Sequence, residues 1–313
     1  MPNENPPPQS FFAEFATVIH ALSLYGAAGI AAFGWAMAWL MGVDAGRWLP
    51  LWFCAALVIY NADRIRRDPA DVLNVPARAA ASARLRTVGG VTLGLAALVL
   101  VGLPAWRRDW LTLALVLGGS VVCLGYSIPV LGVRWKDVPL VKTLFAPTIV
   151  TAAIFGLIFR GEISIVPGVA TLPQGGDLFR LLHRLTFLVP WAWCYLLFNM
   201  VLCDLRDLAG DRQCGIRSIP VVWGERGARG LLWALAVMGQ AMLVVLLAGD
   251  DPAAVVLTFV SLITGCYQAW LLHATRRPRS ERFYEWAVEG MLFLPMAAFG
   301  LATLFYALAP DSV

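Results

Sequence analysis

Nine apolar stretches partition this chain, at about residues 18–42, 47–62, 87–105, 109–126, 139–159, 182–204, 229–248, 253–274 and 284–308. A bilayer core demands about 20 consecutive apolar residues in helical form. It admits only helices or closed barrels, because no water is present to satisfy exposed backbone groups. With 59% of 313 residues hydrophobic and only 14% charged, a soluble fold is excluded. The expectation is an all-α, polytopic membrane protein with about nine transmembrane helices. The second stretch is the shortest, and it begins at Arg47.

Basic residues set the orientation. Of 24 Lys and Arg, 18 fall in the loops after the second, fourth, sixth and eighth stretches, and 6 in the opposite loops. Short loops rich in Lys and Arg stay cytoplasmic. These loops and the N-terminus are therefore expected in the cytoplasm, with the C-terminus outside and, in a bacterium, the inner membrane as host. Residues 1–12 lack the basic segment of a signal peptide and read as a disordered cytoplasmic lead-in to one transmembrane domain, 13–313. The net charge of +4 reflects arginines at membrane edges facing anionic headgroups, so no nucleic-acid role is assigned. Six cysteines without CxxC spacing, most of them inside predicted helices, read as small hydrophobes.

Three carboxylates, Asp204, Asp207 and Asp211, directly follow the sixth stretch. Offsets of three and seven put them within a narrow arc of a helix. Converging like charges repel unless a cation sits among them. Hard oxygen ligands suit Mg2+, which stays partly hydrated and bridges one or two carboxylates to phosphate oxygens. A magnesium diphosphate at the membrane surface is one reading; a solvated acidic helix end is the other. Ionisable clusters at a membrane edge favour function.

A second acidic segment, YNADRIRRDPAD at residues 60–71, follows the second stretch as DLRDLAGDR follows the sixth, and Asp68 lies 143 residues before Asp211. That spacing suits a duplicated four-helix unit, helices 1–4 and 5–8 with a ninth added, each copy turning an acidic segment to a shared cavity. Between them, the loop at 125–142 holds the only two lysines of the chain, Lys136 and Lys142. They read equally as phosphate ligands or as an ordinary basic loop.

These residues resemble the UbiA superfamily of intramembrane prenyltransferases. DLRDLAGDRQCGIRSIPVVWGERGAR is similar to the family's second aspartate-rich motif, DxxDxxxD with a trailing GDRxxGxxSxP. YSIP at 126–129, with Lys136 and Lys142 after it, is similar to the loop between helices 4 and 5. The first motif departs from the usual NDxxDxxxD, since Ala62 follows Asn61, and Asp63 and Asp68 are five apart. On a regular helix Asn61 and Asp68 share a face, while Asp63 points about 160° from Asn61. Pro69 disfavours helix at Asp68, which leaves Asp71 as a loop candidate. Cys203 stands where many members have Asn, and Asn199 is a candidate replacement.

The resemblance implies a UbiA-like bundle with a central cavity opening to the cytoplasmic side, an isoprenyl diphosphate, and a lipophilic acceptor of aromatic, quinone-precursor or tetrapyrrole-like type. It implies Mg2+ held by Asp204, Asp207 and Asp211, with Asn61, Asp63 and Asp68 as the second set. Lys136, Lys142, Arg206, Arg212 and Asn199 are implied diphosphate ligands, and Asp207, Asp211 and Tyr126 the catalytic residues. Loss of an allylic diphosphate leaves a carbocation and concentrates charge on the leaving oxygens, which cations stabilise. Trp191, Trp193, Phe198, Phe145 and Phe155 are candidates to shield the carbocation, or plain packing residues. A terpene cyclase on the same fold and a non-catalytic lipid-binding or assembly protein remain alternatives. His20, Gln240 and Gln268 are expected to join helices by hydrogen bonds. Glu285 and Glu289 are expected to pair with basic residues at 276–282.

Overall fold

Each apolar stretch folds as helix in the computed structural model, which describes residues 11–65, 69–127, 135, 138–162, 164–166, 169–171, 176–248 and 253–308. The helices are α1 (Phe11–Ala21), α2 (Leu24–Leu40), α3 (Leu49–Ile65), α4 (Pro69–Asn74), α5 (Pro76–Arg84), α6 (Arg86–Trp106), α7 (Trp110–Ser127), α8 (Val141–Glu162), α9 (Gly176–Gln213), α10 (Ile219–Leu247), α11 (Ala254–Ala274), α12 (Glu281–Phe283) and α13 (Leu294–Leu308). One small departure from the all-helical expectation is an antiparallel pair, β1 (Ser164–Val166) and β2 (Val169–Thr171), between α8 and α9.

Among the described residues six helices are long and apolar enough to cross a membrane. A seventh arises if α1 and α2, bent by 64°, count as one span. The apolar parts of α3 and α7, Leu49–Ala62 and Trp110–Cys123, are shorter. In α3 the limit is chemical, since Asp63 and Arg64 follow at once. The chain is an integral membrane protein.

The helices form a closed ring. α2 packs on α3, α3 on α6, and each later helix on the next through α11; α11 meets α13, which returns to α2. Within its most apolar window α9 is 56% buried, against 22% for α6. Thus α9 is among the well-buried helices of the ring and α6 a lipid-facing one. Phe33, Trp191 and Tyr195 stack in the core at centroid separations of 5.3–5.9 Å.

The last span is irregular. α12 runs into a π turn (Tyr284–Val288) and a 3-10 turn (Met291–Phe293) before α13. Carbonyls freed inside a membrane must find donors from neighbouring helices. Tyr267 donates to the Ala287 carbonyl at 2.9 Å, Asn199 to Val288 at 2.7 Å, Tyr195 to Met291 at 2.6 Å and Tyr25 to Trp286 at 3.3 Å. Gln240 meets Ser261 at 2.8 Å and Thr264 at 3.2 Å, joining α10 to α11 as expected.

The α6–α7 turn is fixed by Asp109. Its carboxylate accepts from the Thr112 amide at 3.1 Å and hydroxyl at 2.8 Å, capping α7, and from Arg160 of α8 at 3.1 Å. Burial works against the charge, yet the bonds from Thr112 and Arg160 prevail and hold the carboxyl below the usual carboxylate range. A folded-state value below the unfolded one stabilises above the unfolded pKa, and that stability is lost as pH falls through the folded value. Asp109→Ala is expected to cost about 2 kcal/mol at neutral pH. Thermal midpoints in detergent should show the gap from wild type closing below about pH 4.

Candidate functional site

The acidic site exists because α9 does not stop at the membrane edge. It continues through DLRDLAGDRQ to Gln213 and ends at Gly215, whose φ of 73° lets the Ile216 amide return to the Asp211 carbonyl at 2.8 Å. Such a left-handed residue closes a helix C-terminus without a Cβ penalty. On a 3.6-residue helix Asp204 and Asp211 lie only ~20° apart, whereas Asp207 is rotated by a further ~40°.

The side chains follow that geometry. Lys142, in the first turn of α8, places Nζ 2.7 Å from both carboxylate oxygens of Asp211 and 3.5 Å from Asp204 Oδ1. Asp204 and Asp211 are buried, at 1% and 0% exposure, so this ammonium is their counter-charge. Thr143 donates its hydroxyl to Asp204 Oδ2 and accepts from the Ile219 amide at 3.1 Å, which ties the starts of α8 and α10 to the same carboxylate. Asp207 faces its neighbour Arg206 instead, with contacts of 2.7 and 3.1 Å. The Arg206 guanidinium lies 5.5 Å from the centre of the Tyr284 ring.

A further contact comes from α4. Asn74 donates to Asp211 Oδ1 at 3.4 Å and accepts from the Gly210 amide at 3.0 Å. A Cβ at position 210 would collide with the Asn74 side chain, so the Asn74 contact as it stands depends on the glycine of DLAGD. Sequence reasoning missed Asn74 and Thr143. Thr143 had a signal, as the residue beside Lys142; Asn74 had none, since its partner lies 137 positions away.

The other expected residues are dispersed. Asn61 is buried at 2%, and its amide nitrogen donates to the Leu22 and Leu57 carbonyls at 3.1 and 3.0 Å. The side chain of Asp63, and all of Asp68 and Lys136, lie outside the described residues. Tyr126 stacks on Phe145 with ring centres 4.4 Å apart, and Trp135 meets the same ring edge-on. Arg212 is exposed. The nitrogen of Asn199 is committed to the π turn. Glu289 lies 3.8 Å from Arg78 and 3.9 Å from His20, so its partners come from α5 and α1 and not from residues 276–282. The cap formed by residues 69–84 could not be foreseen as the nearer source of charge.

The UbiA prenyltransferase family model matches residues 67–294, a span that includes α4, Lys142 and the whole acidic end of α9. This chain belongs to the UbiA prenyltransferase family. Asn61 and Asp63 precede the matched span. The fold is also similar to the apo structure of a UbiA homolog from Aeropyrum pernix K1, with a TM-score of 0.59 and 14% identity over 90% of this chain and 98% of that one. No match was found among curated proteins. UbiA family members are generally prenyltransferases and generally use Mg2+ through aspartate-rich motifs.

Whether this UbiA chain suits Mg2+ can be judged from its own atoms. Among the described residues no three His, Cys, Asp or Glu side chains stand together as a metal cluster. Two carboxylates do converge, however, and Asp204 Oδ1 is buried without a hydrogen-bond partner. Mg2+ needs only one or two carboxylates when waters and phosphate oxygens complete its octahedron. An all-oxygen pair in which Asp204 Oδ1 makes no hydrogen bond and has the Lys142 ammonium 3.5 Å away fits that demand.

Proposed function

We propose that this protein is an Mg2+-dependent intramembrane prenyltransferase that moves an isoprenyl group from an allylic diphosphate to a lipophilic acceptor, aromatic, quinone-precursor or tetrapyrrole-like. The observation that carries the reading is the Lys142 ammonium held between the buried carboxylates of Asp204 and Asp211. Two buried acids around one cation are costly as architecture alone, since burying an ion pair seldom stabilises. As a site for a cation and an anion together, the same arrangement has a use.

Asp204, Asp207 and Asp211 would hold Mg2+, with Asn61, Asp63 and Asp68 as a second set. When bound, the metal neutralises charge on the departing diphosphate. Lys142 is then free to turn from the carboxylates to the diphosphate oxygens, with Arg206, Arg212 and Lys136 as further cationic ligands. Each such contact strengthens as charge collects on the leaving group. Tyr126, stacked on Phe145, offers an aromatic face and a hydroxyl to orient the allylic end. In this reading the ring of helices makes nine spans around a central cavity, and the motif loops face the cytoplasm of the cell, the bulk of the arginines with them.

A second reading has a specific observation behind it. The first acidic segment departs from the family spacing, with Ala62 after Asn61 and with Asp63 and Asp68 five apart, which favours a protein with one metal set, acting as a terpene cyclase or as a non-catalytic lipid-binding scaffold. The deciding experiment is diphosphate release by the purified protein in lipid, with Mg2+, a panel of allylic diphosphates and candidate acceptors, wild type against Asp207→Asn. Release that needs both Mg2+ and Asp207, with an acceptor adduct as product, supports the transferase. A cyclised hydrocarbon moves the assignment to cyclase, and no release under any condition leaves the scaffold.

A further inference from the structure

The arginine-rich end of the bundle holds a cavity apart from the Lys142, Asp204 and Asp211 cluster. Its volume is about 270 Å3, and it lies among the C-terminal ends of α1 and α3, the cap helices α4 and α5, and the first turn of α6. No residue of α8 or α9 lines it, so it is separate from the carboxylates around Lys142, although Asn61 of the proposed second metal set stands in its wall.

Three cations from three elements line this cavity, Arg64 of α3, Arg78 of α5 and Arg86 of α6, with Asp71 as the acid among them. Arg64 is held rigidly, because its guanidinium donates to the His20 carbonyl and, at 3.0 Å, to the Ala21 carbonyl at the end of α1. The remaining lining includes Leu22 and Val75. A basic rim on an apolar wall suits a ligand whose anionic head carries an apolar body.

Helix α6 offers that body a path. Gly90 and Gly94 stand one and two turns beyond Arg86 on the same face, and a Cβ at either would meet nothing within 4 Å. Val91 and Leu95 beside them are 57% and 60% exposed. A shallow apolar track therefore runs from the cavity along a helix long enough to cross the membrane.

We infer that this cavity binds the phosphate head of an anionic membrane phospholipid, with its acyl chain lying along the Gly90–Gly94 face of α6. The occupant also touches catalysis at one remove. Asp71 and Val72 of α4 line the cavity, and Asn74, at the end of the same short helix, holds Asp211 and Gly210. A bound headgroup steadies α4 and, through it, the acidic end of α9.

The test uses the full-length protein in detergent, titrated with phosphatidylglycerol or with phosphatidylcholine. Bound lipid is counted by native mass spectrometry, and the thermal midpoint is followed in parallel. Phosphatidylglycerol should be retained and raise the midpoint, while phosphatidylcholine does neither. Arg78→Gln and Arg86→Gln should each weaken retention about fivefold, the worth of one arginine at an anionic surface. Ala83→Phe fills the cavity without changing charge and should abolish retention; Gly89→Leu serves the same purpose if that variant fails to fold. The exposed Arg277→Gln is the control for general surface charge. Retention that survives both filling variants, or falls as much in Arg277→Gln, overturns the cavity as the site. Displacement of the lipid by farnesyl diphosphate, in wild type and Asp211→Asn alike, overturns the phospholipid assignment in favour of a diphosphate. None of these outcomes depends on prenyl transfer, so the inference can fail while the transferase reading stands.

Discussion

Lys142→Ala is expected to lower the thermal midpoint of the metal-free protein steeply, and Mg2+ is expected to restore most of the loss. Lys142 Nζ touches both oxygens of Asp211 at 2.7 Å and approaches Asp204 at 3.5 Å. Both acids are buried, so removing the ammonium leaves two carboxylates facing each other away from water. Deleting one partner of a buried ion pair costs about 3–5 kcal/mol. A divalent cation entering between Asp204 and Asp211 replaces the missing charge. Tryptophan fluorescence melts in EDTA and in Mg2+ give the answer, and wild type should gain less from Mg2+ than the variant does. An unchanged midpoint in EDTA would show that the lysine contact has no energetic weight. A loss that Mg2+ fails to repair would remove the carboxylate pair as a magnesium site.

Asp211→Asn is expected to reduce Mg2+-dependent diphosphate release by about 10²–10³-fold, because a carboxylate that would hold the cation is lost and with it the charge stabilisation the cation gives the leaving diphosphate. The substitution keeps the shape of the side chain and its neighbour Asn74, but replaces a carboxylate that accepts from Lys142 on both oxygens with an amide that accepts on one. The fold should persist, since Lys142 still has Asp204 within reach. Asp68→Asn is the companion experiment. An equal loss there supports metal at both motifs; full activity in Asp68→Asn beside loss in Asp211→Asn confines the metal to α9 and withdraws Asn61, Asp63 and Asp68 from the site.

Much of this protein could be read before any coordinate was known. Local chemistry announces itself in one dimension: apolar length set the helices, and the spacing of Asp204, Asp207 and Asp211 set a shared face on α9. The trailing GDRQCGIRSIP carried the family. Lysine usage singled out Lys142, which the structure does bring to Asp204 and Asp211.

Tertiary structure decided whatever depended on partners distant in sequence. The sequence treated the three acids as one group, but a rotation of some tens of degrees around the helix sends Asp207 to Arg206 while Lys142 takes the other two. Asn199 was read toward the diphosphate, and the π turn at 284–288 frees a carbonyl, that of Val288, to which its nitrogen donates. Glu289 was read with the basic residues after α11 and instead faces Arg78 on the cap. Asn74 drew no attention, because a polar residue in a short loop helix has no periodicity to mark it. Periodicity reports which face a residue occupies; only the packed bundle determines which buried donor or charge must be answered there, and by which helix.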